Sequence, residues 1–72
     1  MTIPSSELEY GTVKAYFPIK GFGFITREKG KDVFFYFKDV REESDISEGA
    51  KVTFVVTDEG KGPRAKHIER VG

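Results

Sequence analysis

Two short runs, Lys20-Gly21-Phe22-Gly23-Phe24-Ile25 and Val33-Phe34-Phe35-Tyr36-Phe37, constrain this chain more than any other feature. Between Phe22 and Phe37 they place five Phe and one Tyr within sixteen residues. Both runs read as β-strands. In a strand, residues two apart share a face, so Phe22 and Phe24 point the same way, as do Phe34 and Tyr36. The opposite parity carries Gly21, Gly23 and Ile25 on one strand and Val33, Phe35 and Phe37 on the other. One face can therefore be a core of Ile, Val and Phe. The other becomes a row of exposed rings beside lysines. Rings stack on unpaired bases and cations follow phosphates, so such a face suits single-stranded nucleic acid.

A chain of 72 residues is one small domain that buries roughly 60% of its unfolded surface, which leaves its stability marginal. It has no cysteine and one histidine. A disulfide or a cysteine-based metal site is thus excluded, and no cofactor or metal is expected. A cysteine-free chain fits a reducing cytoplasm. No apolar run approaches the roughly 20 residues of a membrane span. Met1–Glu9 lacks the cationic start and apolar stretch of a signal peptide. Residues 1–9 read as a short flexible tail, and residues 10–72 as the folded domain, expected as a monomer.

Twelve Lys plus Arg balance twelve Asp plus Glu. Neutrality argues mildly against nucleic-acid binding, but the charges are segregated. Lys14, Lys20, Arg27, Lys29 and Lys31 flank the aromatic strands against a lone acid, Glu28. Between Asp39 and Glu48 five acids meet one cation, Arg41. A neutral protein can hold a local positive field in this way. The acidic stretch reads as solvated surface.

Strand patterns run over Tyr10–Phe17, Gly21–Arg27, Asp32–Phe37 and Ala50–Thr57, with a weaker one over Arg64–Val71. Val52, Phe54 and Val56 alternate with Thr53, Val55 and Thr57 in the fourth. Glu28-Lys29-Gly30-Lys31 is a hairpin turn, and one helical turn falls near Lys38–Val40. Five short strands without a real helix make an all-β domain. So small a sheet hides its apolar face only by closing, and the connection of about twelve residues between the third and fourth strands suits a Greek-key crossing. The expected architecture is a five-stranded antiparallel Greek-key barrel of the OB type.

At this point the chain resembles a cold-shock domain, over roughly Gly11–Ile68. Gly11-Thr12-Val13-Lys14 is similar to that family's opening strand. Lys20–Ile25 is similar to its first ribonucleoprotein motif, Asp32–Phe37 to its second, Glu48–Phe54 to the start of its fourth strand, and Gly62–Ala65 to the turn into its fifth. The resemblance implies a barrel that binds single-stranded RNA or DNA with low sequence selectivity and acts as an RNA chaperone without ATP. It implies stacking by Phe22, Phe24, Phe34 and Phe37, and places Lys14 and Lys20 on the binding face. It puts Asp32 against a base edge, with Lys61 and Arg64 near the rim.

The departures matter as well. The family usually has Trp after the first-strand lysine, where this chain has Ala15. It favours Phe, Asn and a polar residue where Tyr16, Phe17 and Pro18 stand, and His where Tyr36 stands. Its loop between the third and fourth strands is usually longer and often carries an aromatic. A lost stack is worth about 1–3 kcal/mol, so binding would weaken by roughly tenfold or more. Tyr16 or Phe17 can compensate, though a one-residue shift in register exchanges their faces. From the residues themselves, Tyr36 joins Phe22, Phe24 and Phe34 as a stacking ring, and Lys14, Lys20 and Lys61 neutralise phosphates.

Catalysis is not expected. Gly21-x-Gly23 lacks the third glycine and following helix of a dinucleotide fingerprint, and Gly60-Lys61-Gly62-Pro63 lacks the hydroxyl residue and helix of a phosphate loop. His67 has no convergent nucleophile. The competing reading is an OB-barrel protein-interaction module, which would account for the missing Trp, the neutrality and the acidic loop.

Overall fold

The computed structural model describes residues 8–28, 30–41, 46–58, 60 and 62–72. Its strands are β1 (Glu9–Phe17), β2 (Phe22–Arg27), β3 (Val33–Tyr36), β4 (Lys51–Asp58) and β5 (Pro63–Arg70), with one 3-10 turn at Phe37–Asp39. They close in the order β1-β2-β3-β5-β4, β4 returning to β1. Four of the pairings are antiparallel. The fifth, β3 with β5 through Phe34 and Arg64, is parallel. Closure thus departs from an all-antiparallel expectation at one seam. The core lies along the barrel axis. Val13, Ile25, Val33, Phe35, Phe54 and Ile68 are all essentially sealed from water. On β2 and β3 the parity is as read: Ile25, Val33 and Phe35 turn inward.

Two local irregularities shape the surface. In β1 the register with β2 shifts between Val13 and Ala15. The backbone of Val13 is occupied there by the loop before β4: Val13 N–H donates to the Ala50 carbonyl, and Gly49 N–H donates to that of Val13, each at 2.9 Å. The resulting β-bulge admits an extra residue and reverses the facing of everything after it. In β5, His67 and Ile68 oppose Phe54 alone, with Val55 paired to Lys66 and Thr53 to Glu69. His67 takes a left-handed φ of 55° to do so. This bulge explains why the β5 pattern looks poor: its buried residues, Ala65 and Ile68, are three apart. In β4 the simple alternation fails too, because Val52, Thr53 and Phe54 are all buried.

Element ends also differ. β1 opens at Glu9, one residue before the expected Tyr10, and β3 stops at Tyr36, so that Phe37 begins the turn instead of ending the strand. Residues 1–7 of the expected tail lie outside the described residues, as do residues 42–45 of the acidic stretch.

Gly23 is required by close approach. It faces inward opposite Tyr16 on β1, and a Cβ there would fall against the Ala15 carbonyl oxygen and 2.7 Å from Phe35 Cε1. The absence of a side chain lets β1, β2 and the Phe35 ring pack together. The β1–β2 turn is equally defined. Lys20 and Gly21 N–H both donate to the Phe17 carbonyl at 3.0 and 2.8 Å, and the Gly21 carbonyl accepts from Phe37 N–H at 2.8 Å. Gly21 adopts φ 78°, a region open to glycine at little steric cost.

Candidate nucleic-acid interface

Cross-strand pairing arranges the outer face of β1, β2 and β3 as two rows of three. Phe17, Phe22 and Tyr36 are paired in one row, and Ala15, Phe24 and Phe34 in the other. Five positions carry rings and the Ala15 corner does not. The rings form one connected cluster. Phe22 and Phe34 are stacked at 5.5 Å, and Phe24 meets Phe34 edge-on at 5.7 Å. Tyr36 meets Phe34 edge-on at 4.6 Å, while Phe17 lies 5.3 Å from Phe22. Phe22 and Phe34 are half-buried by their neighbours, and Phe17, Phe24 and Tyr36 are exposed. The core already holds enough apolar volume at the opposite parity. This leaves the outer rings facing solvent, where flat apolar surface can receive a base.

Beside the empty corner is an open cavity of about 430 Å³ lined by Lys14, Ala15, Phe24, Asp32, Phe34 and Pro63. Lys14 Nζ donates to Asp32 Oδ2 at 2.9 Å across its edge. The expected phosphate-binding cation and the expected base-binding carboxylate are thus already paired with one another. Lys20 is exposed in the turn after β1 and makes no ion pair among the described residues.

Arg64 is placed differently from a rim contact. Its Nε and one terminal nitrogen both donate to Asp39 Oδ2, at 3.1 and 2.7 Å, and the two side chains are 18% and 16% exposed. The guanidinium carbon lies 4.4 Å from the centroid of Tyr36, a cation–π contact, and Lys38 Nζ lies 5.5 Å from it. Part of Tyr36 is therefore spoken for by cations. Sequence reasoning missed Asp39, whose only signal was its place in the turn after the second aromatic run.

Two expected residues lie off this face. Tyr16 is half-buried: past the bulge it pairs with inward-facing Gly23, and its ring sits 6.0 Å from buried Phe35 and 6.2 Å from Phe37. Phe17 occupies the outer position instead. Phe37 is exposed, but it lies on the 3-10 turn and stacks with Tyr16 rather than with the grid. Lys61 lies outside the described residues.

A closed five-stranded barrel with a ring-bearing outer sheet face defines an OB-type domain. Residues 9–71 match the model of the 'Cold-shock' DNA-binding domain. The chain belongs to the cold-shock domain family, whose members are nucleic-acid-binding and chaperone proteins. It is 46% identical over 65 residues to the "Cold shock-like protein" of Aquifex aeolicus, covering 86% of this chain and 93% of that one. To the "Major cold shock protein CspA" of Pseudomonas aeruginosa it is 41% identical over 68 residues, 92% of this chain and 99% of that one. To the "Cold shock protein CspC" of Bacillus subtilis it is 40% identical over 65 residues, 88% and 98%. Among solved structures, "drosophila Unr CSD456" superposes with a TM-score of 0.77 at 28% identity over 90% of this chain, which spans 27% of that longer one.

Proposed function

We propose that this domain binds unpaired RNA or DNA with low sequence selectivity by stacking bases on Phe22, Phe24 and Phe34, with Tyr36 at the edge of the same patch. The observation that carries the reading is the connected ring cluster on the outer face of β2 and β3, made by residues whose strand neighbours already fill the core. Lys14, Lys20 and Lys61 supply phosphate contacts, and Asp32 reaches a base edge once Lys14 releases it. An exposed ion pair is worth about 0–1 kcal/mol, so that exchange is easy. Phe37, exposed on the turn after β3 and stacked on Tyr16, offers a further ring beside the patch. Arg64 contributes by holding Tyr36 in place.

A domain that binds single strand better than duplex shifts hairpins toward the open form by mass action and needs no fuel. The reading is thus a non-enzymatic, ATP-independent RNA chaperone acting as a monomer in the cytoplasm. It calls on no cofactor, metal or membrane. Titration with oligo-dT or oligo-U, followed by quenching of tyrosine fluorescence, tests it. Saturable binding at micromolar concentration is expected. The double variant Phe22→Ala/Phe24→Ala should lose most of it while remaining folded. Silence of the wild type, with a specific protein captured instead, would favour the interaction-module reading.

A further inference from the structure

We infer that Phe17 is a further base-stacking position, so that β1 offers the bound strand a ring at its turn end, where Ala15 offers none. The inference rests on the single-strand-binding reading above and extends it to a residue outside the two aromatic motifs. Four observations carry it. The bulge between Val13 and Ala15 turns Phe17 outward, opposite Phe22. Its ring, 5.3 Å from that of Phe22, prolongs the row Tyr36–Phe22 by one member. It remains 43% exposed, so packing on Phe22 does not consume it. Its backbone is held by the two hydrogen bonds that its own carbonyl accepts in the turn and by Pro18 after it. A backbone fixed in advance loses little conformational freedom when a base lands on the ring it carries.

The charges point the same way. At the Ala15 end, Lys14 is already engaged by Asp32. At the Phe17 end, Lys20 is exposed three residues on and available to the phosphate of the nucleotide that Phe17 receives.

The test is direct titration of the full chain with dT7, comparing wild type with Phe17→Ala, Phe17→Leu and Phe17→Trp, alongside thermal melts of each. Loss of one stack predicts weakening of about five- to 150-fold for Phe17→Ala. Phe17→Leu should bind as poorly as Phe17→Ala, because it restores apolar volume without a π-face, whereas Phe17→Trp should bind at least as tightly as wild type. If Phe17→Ala fails to fold, the Leu and Trp variants decide the matter alone. A ring that only shields Phe22 would make Leu and Trp equivalent in binding, and that result overturns the inference. So does wild-type affinity in the Ala variant, which would leave the stacking role of Phe22, Phe24 and Phe34 standing. If the wild type itself does not bind, the underlying reading and this extension fall together.

Discussion

Arg64 sits over the ring of Tyr36, its guanidinium carbon 4.4 Å from the ring centroid. Asp39 holds it there from the turn that follows β3. The three residues come from three segments and meet at the one parallel seam of the barrel, where Arg64 is also the β5 partner of Phe34. The cluster couples barrel closure to the edge of the aromatic face.

Asp39→Asn keeps the shape of that side chain and removes its charge. Two charge-assisted hydrogen bonds to a largely buried guanidinium weaken together, so stability should fall by about 2 kcal/mol. Urea unfolding should show a lower midpoint with an unchanged slope. Arg64→Lys should cost about as much, since an ammonium cannot reproduce the planar fork or its stacking. An unaltered midpoint in both variants would show that the cluster does not support the seam.

The two lysines flanking the face should differ in their salt dependence. Each phosphate neutralised on a single strand contributes about −0.7 to the slope of log affinity against log salt, and about three contacts give a slope near −2. Lys20→Ala should flatten it by about 0.7. Lys14→Ala should flatten it less, because Asp32 already neutralises Lys14 in the free protein. Equal effects would mean that the Lys14–Asp32 pair opens without consequence on binding.

Filling the empty corner should tighten binding. Ala15 lies beside Phe24 at the edge of the open cavity, so Ala15→Trp can add a ring there without entering the core. A gain of about 1–3 kcal/mol is expected, roughly five- to 150-fold in affinity. The new indole should be quenched by oligo-dT. A folded variant with unchanged affinity would show that the strand bypasses that corner.

Gly23→Ala should be more harmful than Gly21→Ala. At Gly23 the added methyl meets the Ala15 carbonyl and the Phe35 ring, and overpacking of this kind costs about 1–3 kcal/mol. At Gly21 nothing lies within 4 Å of the new carbon, and only the left-handed backbone is penalised, by about 1 kcal/mol. Thermal melts of both variants separate the two cases.

The parity of Phe22, Phe24, Phe34 and Tyr36 could be read from spacing alone, since a short strand without a bulge has one period and one apolar face to bury. The inward turn of Val33, Phe35 and Ile25 followed from the same count. Tyr16 and Phe17 could not be assigned that way. Their facing depends on the Val13–Ala15 bulge, where Gly49 and Ala50 bond to Val13 from some 36 residues away. The weak pattern of β5 has the same origin, in the left-handed turn at His67.

What the chain order settles unaided is local: five strands, the hairpin turns, and which residues of β2 and β3 look outward, because side-chain alternation is a property of the extended backbone itself. What waits for closure of the barrel is everything made by strands distant in the chain. The Arg64–Asp39–Tyr36 contact, the pairing of Lys14 with Asp32, the empty Ala15 corner and the outward ring of Phe17 all arise there. Each depends on register between segments, and register is set by long-range hydrogen bonds and packing that no local pattern encodes.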